Sequence, residues 1–520
     1  MNRKHAIVFS VCCGVGLGGG LALLFPASQW WVSWASSALL ITTSILVLLW
    51  AVQATGSDRQ SHWLTLAAFF SRLFIGVFLM CALPVWGYDT EQQNAGYLFQ
   101  DAFMRDTASW QVADSGESLL TVFSEEFSED QYGGMAFLSA VAYRLFSPDI
   151  HRSYLILILT SAAFAIGVPF FYSAAKVRWS AKLAVVAAWL VVLYPEGIFY
   201  TVAHMREPIL IGMAMILFWG VARWFETSGN LRTRWKVISL CMLAGLFMLF
   251  ISWRTGAGIL LMLVVWFWVE HIHPVIDPKT RRKHWLIAGA VVMFGAVGGY
   301  LILSEWLHYS IWWDMRLMTL TSGWLVKLIE GLPVSLQYAV TTVYGIFQVV
   351  LPAALIDNSL PLWKVLTSLR SLGWYVTLPT LLYGLLAVWR EKDRSQRWVW
   401  VTLLGMSWLW ILFSSMRAGG DMWDNPRYRT VYLPWLALLA AYLWQNRNHW
   451  FWRVIVIEVA ALAVFTQWYL ARYVVSMGKL PLKTMIVGII LFAGAVVASG
   501  LWQEWRVHRN QRRHGKIQQK

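Results

Sequence analysis

Apolar runs of about twenty residues recur along the whole chain, each closed by a short polar segment. A helix rising 1.5 Å per residue needs about that length to cross roughly 30 Å of hydrocarbon, so each run reads as a membrane span. The pattern predicts spans at 6–25, 31–52, 63–86, 152–175, 182–203, 207–225, 236–252, 256–270, 285–305, 371–390, 398–416, 430–445, 453–472 and 483–502. The expected fold is all-α, a polytopic transmembrane helical bundle of about fourteen spans (roughly thirteen to fifteen), with a long outer loop carrying interfacial helices. Residues 1–62 form two N-terminal spans and 63–445 the core, which includes the outer loop 87–151 and the segment 306–370. Two C-terminal spans occupy 446–505, and 506–520 is a basic tail.

Two stretches depart from the pattern. In the segment 306–370, the run 334–356 is apolar enough to cross, but a crossing would move the basic cluster 390–397 to the opposite side. It therefore reads as a re-entrant or interfacial outer element, whose backbone must be sheltered by protein or a cavity. In the loop 87–151, residues 101–113 have helical spacing, and YGGMAFLSAVAYRLF (132–146) is too short to span comfortably. Flanked by Asp130 and Pro148, that run reads as a helix lying on the outer interface.

Composition supports a lipid solvent. A chain with 58% hydrophobic and 13% charged residues would expose large apolar patches if it were soluble. The net charge of +15 does not point to nucleic acid, because the basic residues sit between apolar runs and form no base-reading face. They gather instead at 176–182, 232–236, 279–283, 390–397 and 506–520, all on one side of the predicted topology. By the positive-inside rule that side is cytoplasmic, and both termini lie there. The carboxylates favour the outer loops, leaving Glu196 and Glu458, with Arg72, inside spans. Ionisable groups within a span are hypotheses of function by default.

Cys12, Cys13, Cys81 and Cys241 all fall in spans, so neither a disulfide framework nor a zinc site is implied. The first run, behind Arg3 and Lys4, lacks a convincing cleavage site and reads as a retained helix. The chain carries no Asn-x-Ser/Thr sequon, which favours a bacterial inner membrane. Many of the 35 tryptophans, among them Trp30, Trp31, Trp253, Trp312 and Trp313, sit near span ends and fit an aromatic belt.

The outer carboxylates are the richest candidates for chemistry: Asp89 and Glu91, then Asp101 and Asp106 in FQDAFMRDTASW, then Glu125, Glu126, Glu129 and Asp130 in SEEFSEDQYGG. A carboxylate in a partly desolvated cleft at the membrane edge is suited to act as a general base. Glu125, Glu126 and Glu129 read as a solvated face. Asp101 and Asp106 sit among Phe99, Phe103 and Trp110, with Arg105 able to pair with either in a structural knot. A second outer group is His204, Met205, Arg206, Glu207 and Pro208, where Pro208 fits the first turn of a helix and Glu207 suits its dipole. Arg254, Arg417, Arg427 and Arg429 run against the positive-inside trend. Their guanidinium forks match phosphate oxygens at the headgroup level, with simple anchoring or pairing to Asp421 and Asp424 as the structural alternative. No metal-ligand spacing, P-loop, dinucleotide fingerprint or nucleophile elbow is present, which argues against nucleotide-driven chemistry. Paired carboxylates leave room for a divalent metal, but arginine alone can hold a phosphate, so no cofactor is predicted.

The order of these elements resembles the membrane glycosyltransferases of the GT-C superfamily, which includes protein O-mannosyltransferases and the aminoarabinose and rhizobial lipopolysaccharide sugar transferases. The likeness runs over about 60–445: Asp89 and DAFMRD in an early outer loop, YRLFSPD and HR before a span, LYPEGIFYTVAHMREP, ISWRTGAG, and NPRYRTVYLPWLALLAA. It implies an inverting transfer of sugar from a polyprenyl-phosphate donor to a glycan, lipid or protein acceptor at the outer, periplasmic face. It also implies that Asp101 or Asp106, with Asp89 as rival, is the base, and that Arg206, Arg254, Arg427 and Arg429 bind the lipid phosphate. Glu207, Asp130, His204 and Tyr428 would support them. The chain departs from the family in its two extra leading spans and in reading DAFMRD where an Asp-x-x-x-Tyr pattern is usual. A transporter or flippase of lipid-linked or anionic substrates would place its charges at mid-membrane and show related halves, and no internal repeat is evident. A polysaccharide polymerase or ligase would share the large outer loops but join whole glycans.

Overall fold

The computed structural model describes every residue except 1–2, 57, 125–126, 128–129, 203, 225–230, 273–322, 352–358, 423, 476–477, 479 and 518–520. The expected span 285–305, the basic cluster 279–283, the belt residues Trp312 and Trp313 and the carboxylates Glu125, Glu126 and Glu129 lie outside the described residues.

Among the described residues every regular element is helical. Helices α1 (Arg3–Leu24) and α2 (Trp30–Ala54) form an antiparallel hairpin in which Gly14 and Gly18 face Thr42 and Ala38 without room for a Cβ. Small residues at four-residue spacing allow such close backbone approach in lipid. Helix α3 (Arg59–Trp86) starts from Asp58, whose side chain accepts from the Ser61 amide at 2.8 Å. The segment to the next span holds α4 (Glu91–Asn94), α5 (Gln100–Asp114), a 3-10 turn (Leu119–Phe123) and α6 (Gly134–Phe146). Gly133 takes a left-handed φ of 72° at the start of α6, and Gly134 abuts the Phe250 carbonyl where a Cβ would clash. The two glycines of YGGM thus dock this short apolar helix on the bundle.

Next come α7 (Tyr154–Ala165) and α8 (Gly167–Arg178), which run together as one 25-residue span, and α9 (Ala181–Leu193) and α10 (Pro195–Val202), which meet at a 42° bend. Helices α11 (Glu207–Arg223), α12 (Leu231–Ile251) and α13 (Trp253–Phe267, continued by a π-helical turn Trp268–Ile272) follow. Beyond residue 322 lie α14 (Gly323–Glu330), α15 (Val334–Gln348), α16 (Pro361–Ala387), α17 (Arg394–Ala418), α18 (Asp424–Thr430), α19 (Leu433–Gln445), α20 (His449–Tyr473) and α21 (Leu482–Ile517).

Ten of the described helices are long and apolar enough to cross a membrane, or eleven if the bent pair α9–α10 is one span. The chain is therefore an integral membrane helical protein. The runs expected to cross at 207–225 and 430–445 are helices of 17 and 13 residues, α11 and α19, and fall short of that length. They are nonetheless deeply enclosed, with almost every apolar side chain buried. The run 334–356 contributes the 15-residue α15, and the span expected to begin at 371 begins at Pro361.

The bend has a physical cause. Pro195 has no N–H to offer the Val191 carbonyl one turn back, so the ladder breaks there. Arg72, fully buried on α3, repairs it: Nη1 donates to the Val192 carbonyl at 3.0 Å and Nη2 to that of Val191 at 3.4 Å, while the guanidinium lies 3.5 Å from the Phe164 ring centroid. If Arg72 acts as this surrogate donor, Arg72→Met, which keeps most of the volume, lowers stability by about 2 kcal/mol as two carbonyls go unpaired. Thermal unfolding in detergent measures it; a neutral or raised midpoint would mean a dispensable buried charge.

Candidate functional site

The 87–151 segment meets the bundle through α5. Asp101 and Asp106 are five residues apart on this helix, which turns their side chains about 140° from one another. The structure uses that angle to give them different surroundings.

Asp106 faces inward and is 2% exposed. One of its oxygens accepts from the Tyr97 hydroxyl at 2.5 Å, the Tyr143 hydroxyl at 2.6 Å and His151 Nε2 at 3.0 Å. Trp110 stacks on the His151 ring, closing the cluster. Burial alone would push the Asp106 carboxyl up, but hydrogen bonds from His151 and Tyr143 and the nearby His204 ring hold it at about 2. An ionised, enclosed carboxylate with three donors ties α5 to α6 and to the start of α7. The three donors share Oδ2, and Oδ1 is buried without a hydrogen-bond partner among the described residues, so the carboxylate expected as a base is held in a structural cluster. The expected knot of Arg105 with the aspartates is not what forms among the described residues: Asp106 pairs with His151 and Asp101 with Arg427, while Arg105 Nη2 donates to the His204 carbonyl at 2.7 Å.

Asp101 faces outward, with its side chain 49% exposed. Its Oδ2 accepts from Arg427 Nη1 at 3.0 Å, and Arg427 Nε donates to Glu207 Oε1 at 2.6 Å. One guanidinium therefore joins residues 326 and 220 positions away in sequence. Desolvation raises the Asp101 carboxyl, and the Arg427 and Arg105 guanidiniums outweigh it, leaving it below its ordinary value. It is ionised and able to accept a proton.

Arg206 extends this group. Its Nη1 lies 3.9 Å from Asp130 Oδ1, and its guanidinium sits 4.7 Å from the centroid of Tyr132. Asp130 is fixed in turn by the Ala136 amide at 3.1 Å, at the start of α6. Arg206 is nearly buried, and beyond the 3.9 Å approach to Asp130 its guanidinium makes no hydrogen bond among the described residues, leaving donors for an acceptor. His204 holds the turn before α11 in a left-handed conformation, φ 55°, which a non-glycine residue adopts only at a cost. Its Nε2 donates to the Ser153 carbonyl at 2.8 Å, and burial keeps the ring below its ordinary pKa.

The remaining candidates lie elsewhere. Arg429, expected to bind phosphate, is fully buried: it donates to the Gly345 carbonyl, to the Ile346 carbonyl at 3.2 Å and to Ser415 Oγ at 2.7 Å. With Asn425, which donates to the Gly345 carbonyl at 2.9 Å, it docks α15 against α17. Asp89 is exposed and accepts from the Asn94 amide at 2.9 Å. Arg254 is exposed over Trp253, with its guanidinium 5.4 Å from that ring. The Tyr428 ring carries the Arg417 guanidinium at 3.9 Å, and its carbonyl accepts from Trp410 Nε1 at 2.8 Å.

Sequence reasoning passed over Arg370, buried on α16, which donates to the Met422 carbonyl and lies within electrostatic reach of Glu196 and Asp421. A cation inside the apolar run LTSLRSLGW was the available signal. Glu196 faces the interior, accepting from Trp374 Nε1 at 2.7 Å and Thr430 Oγ1 at 2.9 Å. Among the described residues no group of three or more His, Cys, Asp or Glu could hold a metal ion. No family model, curated protein or solved structure matches the chain.

Asp106 provides a clean test of these contacts. Its carboxyl is lowered on folding, so the unfolded chain binds more protons and stability rises with pH between about 2 and about 4. Asp106→Asn should flatten the dependence of the unfolding midpoint on pH in that window and cost about 2 kcal/mol above it. An unchanged slope would show that the cluster does not hold the carboxylate ionised.

Proposed function

We propose that the chain is a glycosyltransferase acting on a polyprenyl-phosphate-linked sugar at the outer face of a bacterial inner membrane, with both termini cytoplasmic and about fourteen spans. The observation that carries the reading is the convergence of Asp101, Arg427, Glu207, Arg206 and Asp130 from four separate segments at one end of the bundle. A lipid-linked donor keeps its chain in the bilayer and its sugar phosphate at the headgroup level, so its site must lie where spans end. This group does.

In the proposed step the Asp101 carboxylate takes the proton of an acceptor hydroxyl as that oxygen bonds to the sugar's anomeric carbon. The bond from that carbon to the phosphate oxygen breaks, and the lipid phosphate leaves with the electron pair. Displacement from the opposite face inverts the anomeric centre. Arg427 and Arg206 stabilise the charge that develops on the phosphate. Arg427 would then loosen its hold on Asp101 as phosphate arrives, which frees the base when donor is bound. Glu207, fixed in the first turn of α11, holds Arg427 in place. Asp89 and Arg254 take no part.

The transport reading has one observation in its favour, the buried charges Arg370 and Glu196 within helices of the bundle. Transport predicts no new covalent product.

Purified protein incubated with radiolabelled polyprenyl-phosphate sugars and a membrane acceptor extract should release free lipid phosphate. Asp101→Asn should lower the rate about 100-fold or more, Arg427→Gln and Arg206→Gln should raise the KM for donor, and Asp89→Asn should match wild type. Activity surviving Asp101→Asn would remove the base, and redistribution of donor without cleavage would favour transport.

A further inference from the structure

At the end of the bundle opposite the 87–151 segment lies a cavity of about 320 Å³. Arg178 closes α8 beside it, Glu391 follows α16, and Gln445 and Asn446 end α19. In the proposed topology these helix ends fall at the headgroup level of the second leaflet. Nothing in the proposed sugar transfer uses these residues.

The chemistry of the cavity is two-sided. On one side stands the Arg178 guanidinium, backed by Glu270 in the π-helical turn Trp268–Ile272. With its amide turned to accept, Gln396 places its oxygen 3.0 and 3.1 Å from the two terminal nitrogens of Arg178. Two further donors in the wall, Trp179 Nε1 and Gln445 Nε2, are buried without an acceptor. Unpaired donors beside a cation favour an anionic group rich in acceptors. On another side stands the Glu391 carboxylate, which accepts from the Tyr442 hydroxyl at 2.8 Å. Between them Trp400 and Tyr442 stack with centroids 3.8 Å apart, a flat apolar wall.

We propose that this cavity binds the headgroup of a zwitterionic aminophospholipid, its phosphate toward Arg178 and its ammonium toward Glu391. A volume of this size lies at the lower end of ligand sites, suited to a small headgroup. The lipid's tether to the bilayer gives its headgroup a high effective concentration there, which a water-soluble phosphate ester lacks. A purely anionic glycerol headgroup offers Glu391 no cation and brings like charge against it. The site stands independently of the reaction proposed above.

The test uses the full chain in detergent, titrated with phosphatidylethanolamine or phosphatidylglycerol, with bound lipid counted by native mass spectrometry. Wild type should retain one phosphatidylethanolamine per chain at least tenfold more tightly than phosphatidylglycerol. Glu391→Gln should reduce that preference at least fivefold. Arg178→Gln should weaken both lipids; because it leaves Glu270 without its partner and risks the fold, Glu391→Gln carries the decision. Equal retention of the two lipids, or an unchanged preference in Glu391→Gln, overturns the proposal. So does displacement of the lipid by soluble O-phosphoethanolamine at equal concentration, which would make the ligand a water-soluble ester.

Discussion

A single guanidinium, that of Arg427, holds two carboxylates that the chain brings from distant segments, and the end of the bundle is organised around it. Glu207 and Arg427 are both buried, and each offsets the charge of the other. The contact to half-exposed Asp101 extends the pair outward to where a substrate can arrive. The 87–151 segment is thus tied to the spans by charge at α5 and by close packing at Gly134.

Other buried charges follow a related rule. Arg72 and Arg429 find no carboxylate in their hydrogen bonds and spend their donors on backbone carbonyls, at the α9–α10 break and at the end of α15. Both places have irregular backbone within the bundle, where unpaired carbonyls are costly. The arginines that looked alike in sequence therefore divide by what surrounds them. Arg427 and Arg206 meet carboxylates at an accessible end, whereas Arg429 and Arg72 complete the main chain.

The ten or eleven long apolar helices were legible because length and apolarity decide them, whereas α11 and α19 are apolar but shorter than the runs suggested; α5 was legible because its helical spacing is clear. The apolar run 132–146, bounded by Asp130 and Pro148, was legible as the helix that is α6. Less was legible about the site. The five-residue spacing of Asp101 and Asp106 already separates their faces, yet it does not say which faces the bundle. That depends on Tyr97, Tyr143 and His151 meeting around Asp106, contacts between segments whose distance no local pattern records. Arg427 and Arg429 are two residues apart in RYR, and a helix turns them roughly 200° from each other. Their different fates follow from that angle once α18 is placed, and its placement is a tertiary fact.

The Arg427–Glu207 pair anchors this end of the bundle, and a double-mutant cycle tests it most directly. Unfolding of the full chain in detergent is compared for wild type, Glu207→Gln, Arg427→Gln and the double variant. A buried pair that anchors the site predicts a coupling of about 1–3 kcal/mol, with the double variant less damaged than the two losses added together. Additive losses, within about 0.5 kcal/mol, would show that the two side chains do not depend on each other and would contradict the account.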